Sequence, residues 1–371
     1  MAAQLFWGVG FGLFGTLLPL YLKDLGATPT DIGLVIGLGN VFAALTFIPI
    51  GLAADRFGRK PLIVLTWSAS TIGGLAFLPL ADWHGAFIGS VLYWTGSAAL
   101  PVTNAHLIQV VPRARLGADL GLVYGAFFLG TIIGSPFAGP IAAALGLRGG
   151  LAVGVGVFVL STLLTLLLRS TPPPAHVATP ALPRAFWTLL AVTPLAALVA
   201  NMVNPLFSVF VRDVVDVPLE RVGIYVGLIA LGAALLSATS GRISDRVGPA
   251  PAVIGAGAAL TLGAAIVALA GHSEPALGLG ALLLGAQSAP NPVLAAALER
   301  VLPPSRSALG YSGFQLVYAL GFGTGGLLSG VLYDADALLP LLVQVALALP
   351  VTVTVAIIVS RIVRARRETA G

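Results

Sequence analysis

Apolar stretches of bilayer-spanning length recur along the whole chain, and they constrain its fold more than any other feature. They fall at about 4–22, 32–53, 62–80, 86–110, 118–144, 150–168, 186–211, 222–241, 251–271, 276–298, 308–331 and 337–360. A spanning helix needs about 20 apolar residues, because hydrocarbon gives backbone groups no hydrogen-bond partner outside the helix. Breaker signals separate the runs: Gly-Ala-Thr-Pro-Thr at 26–30, Arg-Lys-Pro at 59–61, Pro-Arg-Ala-Arg at 112–115, Gly-Pro-Ala-Pro at 248–251 and Pro-Pro-Ser-Arg at 303–306. Composition points the same way. Of 371 residues, 57% are hydrophobic and 9% charged, whereas a soluble domain carries about 25% charged residues. The expected fold is an all-α polytopic membrane protein with twelve transmembrane helices and only short connections. Cysteine is absent, which excludes disulfides, thiol nucleophiles and Cys-ligated metals.

The widest hydrophilic gap is 169–185, where three prolines follow Thr171. Proline removes a donor and clashes with the preceding turn. This segment therefore reads as a cytoplasmic linker between an N-terminal six-helix bundle (1–168) and a C-terminal one (186–371) that ends in a basic tail. Positive residues set the orientation. With the connection after the second run placed in the cytoplasm, that side holds fifteen of the 19 Lys and Arg residues, and the other holds Lys23, Arg148, Arg212 and Arg221. Both termini are then cytoplasmic, in a plasma (inner) membrane. No basic stripe with interleaved aromatics is present, so nucleic acid is not an expected partner.

The chain also repeats itself. Gly51-Leu-Ala-Ala-Asp55-Arg56-Phe-Gly58 recurs as Gly241-Arg-Ile-Ser-Asp245-Arg246-Val-Gly248, an offset of 190. Gly33 and Gly37 recur as Gly223 and Gly227 at the same offset. Gly130, Gly134 and Gly139 recur as Gly321, Gly325 and Gly330 at 191. Two parallel, pseudo-symmetric six-helix bundles follow, with a substrate path between them near the bilayer midplane.

The segment Gly51 to Lys60 resembles the signature loop between spans 2 and 3 of the major facilitator superfamily. The copy at 241–248 falls between spans 8 and 9, where that family carries its second one. The resemblance covers the whole chain. It implies alternating access by rocking of the two bundles, with spans 1, 4, 7 and 10 lining a cavity for a small molecule. It further implies a cytoplasmic gate formed by Gly51, Asp55, Arg56, Gly58, Arg59 and Lys60, with Asp55 facing the start of span 11 near Ala308. Asp245 and Arg246 would act likewise opposite span 5. A carboxylate beside a helix N-terminus gains about 0.3–2 kcal/mol; a charged turn that only sets topology is the alternative. Gly130, Gly134, Pro136 and Gly139 resemble the Gly/Pro motif that the family associates with export, although Ser135 interrupts the usual pairing. Their plain reading is close helix packing through small residues, shared with Gly321, Gly325 and Gly330. Gly321, Gly323 and Gly326 match a dinucleotide-binding pattern, but they lie in an apolar span with no strand before them. No cofactor or metal is expected.

Charge is informative by its placement. All fourteen acidic residues lie in connections, in a tail or near span ends. Intramembrane charges mark ion pathways and proton relays, so the candidates for proton coupling reduce to His106, the one histidine within a span, and to Asp24 and Asp213 at the external rim. The alternatives are packing for His106 and local pairing with Lys23 and Arg212 for the two acids. Uncharged polar and aromatic residues supply the candidate substrate contacts: Asn40, Tyr93, Trp94, Asn104, Asn201, Asn204, Phe207, Gln287, Asn291, Gln315 and Tyr318. Amides bind neutral polar ligands and rings supply apolar area; helix–helix hydrogen bonding is the competing use. The chain lacks the residue sets of an enzyme, with no Cys, no His-Glu-x-x-His and no mid-membrane acid pair. The expected function is secondary transport of a small neutral or amphipathic solute, in the export direction. An uptake facilitator for a sugar or metabolite is the alternative, and a non-transporting receptor or lipid-handling protein comes after it. The expected partners are the solute, protons and membrane lipids, around a monomer.

Overall fold

The computed structural model describes residues 1–111, 116–170, 182–270, 272–299, 302 and 307–370, and all regular structure among them is helical. The breaker segments 112–115 and 303–306 and the proline run of the linker lie outside the described residues. The helices are α1 (Ala2–Asp24), α2 (Pro29–Ala44), α3 (Phe47–Phe57), α4 (Arg59–Ala76), α5 (Ala86–Thr95), α6 (Ala99–Val110), α7 (Leu116–Thr165), α8 (Arg184–Ala200), α9 (Phe207–Asp213), α10 (Leu219–Arg246), α11 (Pro249–Ala270), α12 (Glu274–Leu284), α13 (Pro290–Glu299), α14 (Ser307–Ala335) and α15 (Leu339–Ala370).

By length and hydropathy, eight helical stretches among the described residues can each cross a bilayer, or nine if the bent pair α2–α3 counts as one. Several of the twelve apolar runs are thus not single unbroken helices, and the interruptions have local causes. The pair α2–α3 bends by 41°. The fourth and tenth apolar runs are each interrupted by a 3-10 turn, at Gly96–Ala98 and at Gly285–Ser288. The seventh run breaks between α8 and α9, where Pro205 lacks a donor and its ring conflicts with the carbonyl four residues back, that of Asn201. The fifth and sixth runs merge into the 50-residue α7, whose backbone leaves the helix at Gly146 (φ 74°). There α7 folds back. One limb meets α1 at Gly8 and Gly12, and the other meets it at Gly10 through Gly154 and Phe158.

Local chemistry sets the helix ends. Thr28 and Asp31 form a reciprocal capping box at the start of α2, with Pro29 at its first position. Gly58 (φ 89°, ψ 159°) separates α3 from α4, and Gly248 (φ 111°) follows α10 at the matching place in the second half. Only glycine adopts such a backbone without strain. Within the N-terminal bundle, Phe14, Phe77, Tyr93 and Phe158 form a buried aromatic core, with Trp7 and Trp67 against it.

The two halves meet along two seams that obey the sequence repeat. In one, a side chain at Gly330 of α14 would run into the Pro29 carbonyl of α2, and Gly37 of α2 lies against Gly323 and Leu327. In the other, Gly139 of α7 lies against the Leu219 carbonyl of α10, and Gly227 against Ile132 and Pro136. Adding 190 to Pro29 and Gly37, and subtracting 191 from Gly330, Gly323 and Leu327, turns the first set into the second. The contacts therefore sit about a pseudo-twofold axis.

Candidate substrate site and gates

One end of the molecule is closed between the halves. Lys23 Nζ of α1 lies 2.5 Å from Asp213 Oδ2 of α9, and Thr30 Oγ1 donates to Asp334 Oδ2 of α14 at 2.9 Å. Lys23 and Asp213 are repeat mates, 190 residues apart, so the ion pair lies where the pseudo-axis brings equivalent residues together. Pairing at the external rim is the expected use of Asp213, and its partner here is Lys23 of the other half. Successive residues on a helix diverge, so Arg212 turns to the Val217 carbonyl at 3.1 Å while Asp213 reaches across to the other half. Asp24 is exposed beside this pair.

At the opposite end sit the signature residues. Gly51 of α3 faces α14, where an added side chain would stand 3.2 Å from Ser312 Oγ. Asp55 and Lys60 are half-buried, and Arg56 is exposed with its guanidinium 5.4 Å from the Phe57 ring centroid. The expected partner of Asp55, the first turn of α14, borders segment 303–306, which lies outside the described residues. Arg59 is buried and donates to the Ala105 carbonyl of α6. It thereby ties α4 to α6 inside one bundle rather than linking the halves. His106, the next residue along α6, is buried. Asp245 and Arg246 are exposed at the end of α10. On this side the second seam shows no tight contact among the described residues: side chains at Gly121 and Gly125 of α7 or Gly241 of α10 would meet no described atom within 4 Å. The packing glycines lie elsewhere: Gly130 and Gly134 against α1, Gly321 and Gly325 against α8.

Between the ends lies a polar layer, concentrated in the C-terminal half. The break between α8 and α9 carries Asn201 and Asn204. Asn201 is buried and its Nδ2 donates to the Phe322 carbonyl of α14 at 2.8 Å. Asn204 Oδ1 accepts from Gln287 Nε2 at 3.3 Å, across to the 3-10 turn of the tenth run. Asn291 Nδ2 donates to Gln315 Oε1 at 3.3 Å, joining α13 to α14. Tyr318 stacks over Phe322 with ring centroids 6.3 Å apart, and Phe207 is fully buried. The N-terminal half contributes less. Asn104 accepts from the Tyr124 hydroxyl at 2.8 Å, and Asn40 bonds back to the Ile36 carbonyl of its own helix. Tyr93 lies in the aromatic core beside Trp94, inside the bundle rather than between the halves.

One member of this layer escaped the sequence reading. Gln344 of α15 is 1% exposed, and its Nε2 donates to the Val199 carbonyl at 2.9 Å. With Val203, Asn204, Ile229, Leu284 and Gln287 it lines a crevice too narrow to admit a water molecule. A single glutamine in a very apolar final span carries no periodic or motif signal.

The model of the Major Facilitator Superfamily matches this chain twice, over residues 1–194 and 189–370. The chain belongs to the Major Facilitator Superfamily. Its all-helical architecture, with eight or nine stretches able to cross a bilayer among the described residues, fits that family. Among superfamily relatives, the multi-drug resistance efflux pump PmrA of Streptococcus pneumoniae is 32% identical over 139 residues, 34% of this chain and 32% of PmrA. A Deinococcus radiodurans protein named for sugar efflux is 27% identical over 253 residues, 62% of this chain and 63% of that one. The matched region thus spans about a third of PmrA and under two thirds of the second relative. The superfamily fold is also seen in the nucleoside transporter NupG, at a TM-score of 0.76 and 16% identity, covering 97% of this chain and 98% of NupG.

Proposed function

We propose that the chain exports a small neutral or amphipathic solute from the cytoplasm, in a plasma (inner) membrane with both termini on the cytoplasmic side. The observation that carries this reading is the chemistry of the polar layer. Among the described residues, the buried polar side chains are amides and hydroxyls, apart from Arg59 and His106 at the signature-loop end. An ion in such a layer would lose hydration worth several kcal/mol without gaining a counter-charge. A neutral solute meets amides that can both donate and accept. Efflux relatives and the Gly130-to-Gly139 stretch support the direction. In this reading the Lys23–Asp213 end faces outward and is closed, and the protein works as a monomer among membrane lipids. Asn204 and Gln287 hold the solute, the Asp55 loop gates the cytoplasmic side, and His106 carries the coupling proton.

The test is flux in proteoliposomes of purified protein, over neutral sugars, a neutral lipophilic drug, a dianion and a dication, with and without a pH gradient. Saturable flux of a neutral solute, accumulated against its gradient and lost in His106→Gln, supports the reading. Preference for the dianion or dication overturns the substrate class. Flux that only equilibrates the solute overturns coupled export in favour of a facilitator.

A further inference from the structure

We infer that Gln344, on the last span, is a specificity-determining residue of the substrate site: its amide oxygen is a fixed acceptor for a hydroxyl or N–H of a neutral solute held beside Asn204 and Gln287. The inference rests on the neutral-solute reading above and deepens it. The last span is not among the four that the superfamily resemblance assigns to the cavity, so the residue is placed here by geometry alone.

Three observations converge. The side chain is 1% exposed and fixed, because Nε2 donates to the Val199 carbonyl at 2.9 Å. The opposite atom, Oε1, is buried and meets no hydrogen-bond donor among the described residues. Amide geometry directs that oxygen away from the Val199 bond, and Gln344 shares its gap with Asn204 and Gln287, the two amides already joined to each other at 3.3 Å. A buried acceptor without a donor is unfavourable, so a helix that needed only to cap Val199 is poorly served by glutamine. The same group is useful when a ligand donor can reach it.

This crevice is closed to a water-sized body here, so a solute reaches the oxygen only as its walls part. It is lined by residues next to two discontinuities, the Asn201–Leu206 break and the Gly285–Ser288 turn. Ile229, another of its lining residues, lies about 15 Å along α10 from Leu219. The remaining walls are Val203, Leu284 and Ile229. They exclude water and sharpen discrimination, because a site built to bond a hydroxyl rejects an analogue that lacks the donor.

The experiment measures equilibrium binding of glucose and each of its mono-O-methyl ethers to the purified full-length protein in detergent, for wild type, Gln344→Leu and Gln344→Glu. Each ether keeps the oxygen and removes one donor. Wild type is expected to bind glucose about tenfold more tightly than at least one ether, the equivalent of 1.4 kcal/mol. Gln344→Leu is expected to bind glucose and that ether within twofold of each other. Gln344→Glu, which as a neutral acid both donates to Val199 and accepts, restores the preference. Discrimination that persists in Gln344→Leu overturns the proposal, as does an equal loss for every probe, which marks a purely structural role. A wild type that binds no probe overturns the neutral-hydroxyl reading itself and this proposal with it; an unaltered Gln344→Leu overturns only the latter.

Discussion

At the scale of single residues, the repeat shows where backbone geometry was legible and where it was not. Gly58 and Gly248 occupy matching places after the two motif copies, and both have positive φ. The motif spacing made them visible. The positive φ at Gly26 is matched, 190 residues on, by Asp216 (φ 61°), the one non-glycine residue in that region among those described. No sequence pattern announces it, because aspartate is common in ordinary connections. The two sites make opposite predictions. Gly58→Ala forces a side chain into a conformation that costs about 1–3 kcal/mol, so its thermal midpoint in detergent should fall. Asp216→Gly relieves a strained backbone, so its midpoint should hold or rise. Equal behaviour of the two variants would show that the turns are not alike. Gln344 was missed for a different reason: its role depends on where the broken α8 leaves the Val199 carbonyl, a property of three dimensions.

Elements explain why the spans were found and their breaks were not. Hydropathy reports that a segment is apolar over about 20 residues, and it is blind to whether the helix inside is continuous. The first and seventh runs are repeat mates, yet α1 is unbroken from Ala2 to Asp24 while the seventh run parts at Asn201–Leu206. The first run has Phe14-Gly15 at the matching place, where the seventh has Asn204-Pro205. A proline in a helix interior costs about 3 kcal/mol, and here the break turns Asn204 toward Gln287. Pro205→Ala should let α8 and α9 join. We expect normal insertion and thermal stability at least equal to wild type, with solute affinity reduced about tenfold, as for the loss of one hydrogen-bonding group. Binding and melting curves together check this. Wild-type affinity in a variant whose break has closed would remove the break from the site.

At the scale of the whole molecule, the repeat offset read from the sequence is also a statement about contacts. The two glycine seams are copies of each other, and Lys23 meets its own repeat mate, Asp213. The sequence made the twofold relation legible through its glycines. It did not identify the latch, because a lysine and an aspartate in equivalent places do not look like a repeat. The pair is 49% and 32% exposed, so its strength is about 0.2–1 kcal/mol, enough to shift the ratio of closed to open molecules by up to about fivefold. That is small beside a stable fold but large for an equilibrium that must be crossed in every cycle. Asp213→Lys should set like charges against each other and favour opening at this end, whereas Lys23→Asp combined with Asp213→Lys should restore closure. The chain has no cysteine, so Asn204→Cys supplies a single reporter in the polar layer. Its labelling by a membrane-impermeant thiol reagent, applied from the Lys23 side, should be slow in the parent, a few-fold faster with Asp213→Lys, and slow again in the charge-swapped pair. Labelling rates that ignore both the charge reversal and its rescue would leave closure to the glycine seams alone.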